Sequence, residues 1–314
     1  MDRRTLLKSS AVAAVAAWNP LSSAAESQDH PPIVDTHQHL WDRSRFRLAW
    51  ISPGSVLDRN FLLEDYDKAT AGLGVAAAVY MEVDVVPEQQ TDEAKFVSSL
   101  AASGKGLTKA AVISGRPASA GFGKYLDQFR DDQHIKGLRQ VLHASTTPAG
   151  YCLSEDFVRG IRELGRRGLS FDLCMRSPEL ADGVKLVEKC PETKFILDHC
   201  GNPNVRERPS KQWMDDIRKL AALPNVTGKI SGVIAGIDPG KPVKDQLAPF
   251  VNHIWDSFGP DRVVFGGDWP VCLLGGTYAT WVTTLREIAA PRSAEDRRKL
   301  FHDNAVKVYR LQQG

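Results

Sequence analysis

The sequence predicts an α/β protein in which eight parallel strands alternate with helices and close into a (β/α)8 TIM barrel. Short, nearly continuous apolar runs recur along the chain, segments of helical periodicity separate them, and three runs end in histidine or aspartate. Helix-covered parallel strands have this apolar character, and barrels gather polar groups at the carboxyl ends of their strands. A doubly wound open sheet is the alternative, but no Gly-rich dinucleotide turn follows the first run.

Eight apolar runs are predicted as strands by their length and bounding residues. In chain order they are Ile33–His37, Val75–Val83, Leu107–Ile113, Ile135–Leu142, Leu169–Met175, Lys194–His199, Asn225–Ile230 and Arg262–Asp268. Helical periodicity between the runs predicts helices at Glu64–Ala71, Asp92–Ala102, Ser154–Arg167, Pro178–Lys189, Trp213–Ala222, Val243–Phe258 and Tyr278–Ala289. Ser293–Leu311 is predicted as a closing helix, so residues 33–314 form one domain of about the size usual for this barrel.

The first 25 residues are predicted to be an export signal. The run Arg3-Arg4-Thr5-Leu6-Leu7-Lys8 resembles a twin-arginine motif, and an alanine-rich stretch follows it. Ser22-Ser23-Ala24 and Ser23-Ala24-Ala25 each offer the small residues of a cleavage site. Residues 26–32 are a polar spacer. We therefore expect the twin-arginine export machinery as a partner and the periplasm as the location.

Composition excludes several classes of function. The chain has 314 residues, 42% hydrophobic and 25% charged, which is typical of a globular protein with a large core. The net charge of +2 is accounted for by Arg3, Arg4 and Lys8 less Asp2, so the remaining chain is balanced. No basic stripe indicates nucleic-acid binding, and no run reaches the roughly 18 apolar residues of a membrane span. The five cysteines are scattered, which argues against a disulfide framework.

Four polar residues at predicted strand ends form the candidate catalytic and metal site. His37 and His39 are two residues apart on the first strand, so their side chains point to the same side. His199 ends the sixth strand and Asp268 ends the eighth, which neighbours the first in a closed barrel. Three imidazoles and one carboxylate suit one divalent ion such as Zn²⁺ with a position open to water. Asp268 is alternatively a general base that stays off the metal.

The motifs that contain these residues resemble the amidohydrolase superfamily. They are D-T-H-Q-H at Asp35–His39, L-D-H-C-G-N-P at Leu197–Pro203, G-K-I-S-G at Gly228–Gly232 and F-G-G-D-W-P at Phe265–Pro270. More narrowly, they resemble the branch of metallo-dependent hydrolases that contains fuconolactonase-like and rhamnonolactonase-like sugar-acid lactonases, sulfomuconolactone hydrolases and pyrone-dicarboxylate lactonases. The resemblance extends over roughly residues 33–311.

The resemblance implies hydrolysis of a cyclic ester. It implies that Asp268 takes a proton from the attacking water, and that His37, His39 and His199 bind metal or polarise the lactone carbonyl. Many members of the superfamily also carry a histidine on strand 5, whereas Phe171–Arg176 contains none, and no lysine stands in an obvious bridging position. We therefore expect one ion rather than two, or a reaction that needs no metal.

Arginines near the predicted barrel mouth indicate the substrate class. Arg139 lies within the fourth strand and Arg176 ends the fifth. Because a guanidinium binds carboxylates and hydroxyls through a planar fork of donors, we expect an anionic or polyhydroxylated lactone. Further candidates for contacts with the substrate or for the pocket wall are Glu82, Lys229, Trp41, His143, Trp50 and Trp269.

Two other functions are compatible with parts of this pattern. Amide hydrolysis or decarboxylation is the enzymatic alternative within the same superfamily. A periplasmic solute-binding protein is the non-enzymatic alternative, but binding without turnover gives no reason for a carboxylate that faces two histidines. Turnover of a lactone panel distinguishes the two classes.

Overall fold

The computed structural model describes residues 30–312. The predicted export signal, residues 1–25, and most of the spacer lie outside this range. Within it, none of the helices combines the length and the apolar character needed to span a membrane.

Eight parallel strands form one sheet whose spatial order follows the chain order. They are β1 (Ile33–Gln38), β2 (Val75–Met81), β3 (Thr108–Ser114), β4 (Ile135–Arg139), β5 (Ser170–Leu173), β6 (Lys194–Leu197), β7 (Val226–Ile230) and β8 (Val263–Phe265). The sheet closes where Gln38 forms a parallel bridge with Trp269. There Asp268 N–H donates to His37 O at 2.9 Å and His39 N–H donates to Trp269 O at 2.8 Å. The predicted (β/α)8 barrel is confirmed.

Ten α-helices are described between and after the strands. They are α1 (Leu63–Thr70), α2 (Gln90–Ala102), α3 (Phe122–Asp127), α4 (Glu155–Arg166), α5 (Leu180–Lys189), α6 (Lys211–Ala222), α7 (Val243–Phe258), α8 (Tyr278–Ala289), α9 (Ala294–Arg298) and α10 (Asn304–Val308). In α4, Ser154 caps the first turn by accepting from Phe157 N–H, and Phe157, Ile161 and Leu164 form the buried face. This spacing of apolar residues is the signal that predicts most of the helices.

Two helical predictions differ from the structure. The six-residue α3 was not predicted, because its sequence, with Gly121 and Gly123 at its start, has little helical signal. The predicted closing helix is divided into α9, a π-helical stretch at Lys299–Asp303, and α10. Asn304, at the start of α10, donates to the carbonyl oxygens of Pro260 and Val263 and so ties this segment to the end of β8.

The buried carboxylate of Asp35 joins the first and last strands of the barrel. Its Oδ1 accepts from the backbone N–H groups of His37 and Gly267, at 2.9 and 2.7 Å. Its Oδ2 accepts from Tyr66 on α1 and Tyr278 on α8, at 2.8 and 3.0 Å. Any side chain at position 267 would overlap this arrangement, since an added Cβ would lie 2.5 Å from Asp35 Oδ2. Asp35 therefore fixes the backbone from which the histidines project.

Candidate active site

A cavity of about 560 Å³ opens at the carboxyl ends of the strands. Its lining includes Asp84, which the sequence analysis did not single out, and six residues that it did: His39, Trp50, Arg139, His143, His199 and Asp268. Five of the predicted strands end earlier than expected, and at two of these ends His199 and Asp268 have φ values of 51° and 53°. The chain thus leaves β6 and β8 before these residues and turns their side chains into the cavity.

His37, His39 and Asp268 form a compact group at the base of the cavity. Asp268 Oδ1 lies 3.4 Å from His39 Nε2 and 3.6 Å from His37 Nε2. All three side chains are almost completely buried. Burial is the main reason that the pKa of His37 lies well below its usual value, so this imidazole is neutral. Neutral imidazole nitrogens and a carboxylate oxygen are the donors that a borderline divalent ion takes.

The tautomer of His39 indicates that a cation fits between it and Asp268. Its Nδ1–H donates to Met81 O at 2.9 Å, because a carbonyl can only accept. In a neutral ring the lone pair is then on Nε2, which faces another acceptor, Asp268 Oδ1, at 3.4 Å. Two acceptors at this distance are stabilised by a positive charge between them. The donor set therefore fits one metal ion.

His199 belongs to a second, overlapping group. His37, Asp198 and His199 have potential ligand atoms within 4.8 Å of one another, as do His37, His39 and Asp268, so the two groups share His37. His199 Nδ1 lies 3.0 Å from Ser231 Oγ, which leaves Nε2 as the ring atom available for other partners. An added Cβ at Gly232 would lie 2.2 Å from His199 Nδ1, so this ring position requires glycine there. The four predicted metal ligands are close together, but they fall into two overlapping groups rather than one group around a single point.

Arg139 lies beside the histidines and is already paired. Its Nε donates to Glu82 Oε1 at 2.6 Å, and Nη2 donates to Glu82 O at 2.7 Å. Its Nη1 lies 3.4 Å from Asp198 Oδ2 and 3.3 Å from His37 Nε2. Arg139, which the sequence predicts to bind the substrate, lines the cavity, but Glu82 already neutralises its charge. Arg139 Nη1 thus places a donor at the same His37 nitrogen that faces Asp268.

Lys229 is buried beneath the cavity rather than exposed on its wall. Its Nζ lies 2.6 Å from Asp172 Oδ2 and 2.9 Å from Asp198 Oδ1, and all three side chains have no exposed surface. Tyr309, which follows α10, donates to the same Asp172 oxygen at 3.3 Å and so packs against this buried charge cluster. Burial favours a lower pKa for Lys229, but the two carboxylates outweigh it and hold the pKa well above its usual value. A direct substrate contact, as expected from the sequence, would require Lys229 to leave these partners.

Three other predicted contacts also have protein partners. Arg176 donates to Glu179 and to the carbonyl oxygens of residues 144 and 147, and it lines an adjacent cavity of about 540 Å³ instead. Trp41 is buried, with Nε1 donating to Arg59 O at 2.8 Å. Glu82 is fully buried against Arg139, whereas Trp50 and His143 do line the main cavity. These placements differ from the expectation that Arg176, Trp41 and Glu82 face the substrate.

The sequence reasoning overlooked two carboxylates. Asp198 directly precedes His199 and lies near His37, Arg139 and Lys229. Burial acts to raise its pKa, but Lys229 and His37 outweigh burial and hold the pKa well below the usual value. Asp84 lies three residues after β2 and lines the cavity. Asp198 was detectable because it directly precedes a candidate ligand within L-D-H-C-G, whereas the residues around Asp84 carry no motif.

Comparison with known proteins identifies relatives along almost the whole chain. The family described as Amidohydrolase matches residues 34–311. An L-fucono-1,5-lactonase from Burkholderia multivorans is 29% identical over 88% of this chain and 96% of its own length. An L-rhamnono-gamma-lactonase from Scheffersomyces stipitis is 22% identical over 89% and 98%. A crystal structure of an amidohydrolase from Burkholderia multivorans with bound Zn has a TM-score of 0.81 at 26% identity, covering 90% of this chain and 100% of that one.

Proposed function

Because this chain belongs to the amidohydrolase family, as its motifs indicated, we propose that it hydrolyses the ester bond of a polyhydroxylated lactone, such as that of a sugar acid. The observation that carries the proposal is the position of Asp268 in the cavity, 3.4 Å from His39 Nε2 and 3.6 Å from His37 Nε2. A carboxylate held against two imidazoles suits the activation of water. The relatives named as lactonases support the choice of a cyclic ester as the bond that is broken.

In the proposed reaction, Asp268 accepts a proton from a water molecule as the water oxygen attacks the lactone carbonyl carbon. The ring carbon–oxygen bond then breaks, and the departing alkoxide takes the proton back from Asp268. The product is an open hydroxy acid, which releases one proton to solvent at neutral pH. Ser231 orients His199, since its Oγ lies 3.0 Å from Nδ1, and Nε2 is then available to stabilise the carbonyl oxygen.

We propose one divalent metal ion, Zn²⁺, in contact with His39, Asp268 and His37, with His199 as a further candidate ligand. When bound, such an ion lowers the pKa of water and polarises a carbonyl. The zinc-containing relative supports this choice. His39 Nδ1 remains tied to Met81 O, and that bond fixes the ring so that Nε2 points toward the ion.

A panel of three lactones tests the proposed function. The panel contains a neutral polyhydroxylated lactone such as L-fucono-1,5-lactone, the dicarboxylate 2-pyrone-4,6-dicarboxylate, and an unsubstituted six-membered lactone. We expect proton release at neutral pH to be fastest, in kcat/KM, with the polyhydroxylated compound, with one hydroxy acid formed per proton by mass spectrometry. Absence of turnover with all three, together with activity on amides or aromatic carboxylates, would replace this function by one of the enzymatic alternatives.

We also propose that the protein is exported to the periplasm. The support is the sequence Arg3-Arg4-Thr5-Leu6-Leu7-Lys8 and the small residues that follow it. The double substitution Arg3→Lys, Arg4→Lys should leave the folded precursor in the cytoplasm, as followed by cell fractionation and immunoblotting. Undiminished mature protein in the periplasm would show that another route is used. The charge-matched control is Lys105→Arg, at an exposed position in the barrel domain.

A further inference from the structure

We infer that Asp84 is a specificity-determining residue whose carboxylate accepts hydrogen bonds from the hydroxyl groups of the lactone. It acts beside the ring of Trp50 and disfavours lactones that carry a carboxylate of their own. The inference rests on the proposed function and deepens it by assigning a recognition group within the cavity. It does not involve the residues that bind metal or activate water.

The backbone of Asp84 is the first observation. Six non-glycine residues of the described chain have positive φ, and four of them line the cavity: Asp84 at 49°, His199, Asn202 and Asp268. This conformation is uncommon outside glycine and is concentrated at functional sites, where surrounding contacts hold it in place. Asp84 therefore shares with His199 and Asp268 the backbone feature that turns a side chain into the cavity.

The contacts of Asp84 leave its carboxylate available. Its backbone N–H donates to Glu82 Oε2 at 2.7 Å, and the other oxygen of Glu82 binds Arg139, so the position of residue 84 is fixed. Oδ1 accepts a long hydrogen bond from Arg116 Nη2 at 3.5 Å, which is its one ion pair among the described residues. Within residues 30–312, no donor is within hydrogen-bond distance of Oδ2. About a third of the side chain, 31%, is exposed.

Trp50 provides an apolar surface next to this acceptor. Its Nε1 donates to Val83 O at 2.8 Å, so the residue immediately before Asp84 anchors the indole. Trp50 as a whole is 40% exposed, and it lines the same cavity. An apolar wall with one oriented polar group is the usual composition of a small-molecule site. A sugar-derived lactone has both features that this wall matches, a face of C–H groups and a set of hydroxyl donors.

Charge explains why the carboxylate discriminates. An ionised carboxylate is an acceptor only, so it binds hydroxyls and repels another carboxylate. Burial and the neighbouring Glu82 raise the pKa of Asp84 to about 6, while Arg116 and Arg139 act to lower it. The group is thus mainly ionised at neutral pH. A site built to bind a substrate hydroxyl discriminates strongly against an analogue that lacks it, because the site's polar group is then left unpaired.

Two substitutions separate charge from hydrogen bonding. Asp84→Asn keeps the shape and tolerates positive φ, and Asp84→Gly removes the acceptor at a backbone angle that glycine adopts freely. For the polyhydroxylated lactone we expect Asp84→Gly to raise KM roughly ten- to hundredfold, the scale of a hydrogen bond to a charged group, with kcat within about threefold. KM for the unsubstituted lactone should stay unchanged. Asp84→Asn should lower KM for the dicarboxylate.

The control is Asp131→Asn, which removes an exposed carboxylate outside the cavity and should change none of these constants. Thermal unfolding of each variant shows whether the fold is intact. The inference would be overturned if wild type and Asp84→Gly had the same KM for the polyhydroxylated lactone. It would also be overturned if Asp84→Gly raised KM for the unsubstituted lactone by the same factor as for the polyhydroxylated one.

Failure of the proposed function has a different signature. In that case the wild type opens none of the lactones, and calorimetric titration with a hydroxylated lactam of the same ring size takes the place of kinetics. Weaker lactam binding by Asp84→Gly than by wild type then supports the assignment of Asp84. Equal binding by the two proteins, or no binding by either, overturns it.

Discussion

Replacement of Lys229 by methionine tests whether this residue stabilises the barrel or binds the substrate. Methionine keeps most of the side-chain volume but removes the ammonium group. Asp172 and Asp198 would then lose the charge that lies 2.6 and 2.9 Å from their oxygens, in a region with no exposed surface. Removing one partner of a buried ion pair typically destabilises a protein by about 3–5 kcal/mol. Because two carboxylates share this lysine, we expect a loss near the upper end of that range.

The assay is thermal and urea-induced unfolding of Lys229→Met beside the wild type. A loss of that size should lower Tm by roughly 10 °C or more for a domain of this length. Lys124→Met is the matched control, because Lys124 is exposed on α3 and its substitution should shift Tm by less than about 2 °C. The double variant Lys229→Met, Asp172→Asn should recover part of the lost stability, since one of the two unpaired charges is removed.

A substrate-binding role would give a different result. If Lys229→Met unfolded within about 2 °C of the wild type while KM for the lactone rose tenfold or more, the lysine would contact the substrate. The reasoning from burial would then be wrong. Lower kcat together with lower Tm agrees with the structural role, because Asp198 lies beside His37 and its displacement disturbs the site.

Three further results are expected. Asp268→Asn should lower kcat about 100-fold or more with little change in KM on the same lactone, the usual effect of losing a positioned base; near-normal kcat would place the proton acceptor elsewhere. Metal analysis of the active protein should give one ion per chain, and His39→Ala should lower this metal content. Two ions per chain would contradict the single site. Full activity without metal would indicate that the histidines alone polarise the lactone carbonyl. Burial and Glu82 raise the pKa of Glu93 to about 8. Because the folded-state pKa exceeds the unfolded one, the wild type should lose stability relative to Glu93→Gln between about pH 5 and pH 8 in urea unfolding; parallel pH profiles would exclude this titration.

The barrel was predictable because its strands are buried on both faces and its helices on one. Continuous apolar runs such as Val263–Phe265 and helical spacing such as Phe157, Ile161 and Leu164 follow directly from that pattern of burial. The strand ends were predicted less accurately. Positive φ at His199 and Asp268 ends the ladder, and neither residue is a glycine that would mark the change in the sequence.

The partners of the charged residues could not be read from the sequence. Strand alternation indicates that Arg139 and Lys229 point into the barrel, but it does not indicate the depth of each ammonium or guanidinium group. Depth depends on how the eight strands are staggered around the barrel. The stagger brings Lys229 of β7 against Asp172 of β5, two strands away, and Arg139 of β4 against Glu82, which directly follows β2. Charged residues that look equally able to bind a substrate in the sequence are thus divided by the fold into buried ion pairs and side chains that line the cavity.

This separation changes the argument about the substrate. Glu82 and Asp198 neutralise Arg139, and Asp172 and Asp198 neutralise Lys229, so neither cation requires an anionic ligand. The carboxylates that line the cavity are Asp84 and Asp268. A divalent ion bound at Asp268 would more than offset that charge. Asp84, which Arg116 contacts only at 3.5 Å, is then the carboxylate that the substrate meets. A neutral ligand rich in hydroxyl donors satisfies Asp84, whereas a dicarboxylate would meet repulsion there. The buried ion pairs therefore favour a neutral sugar-derived lactone over an anionic one.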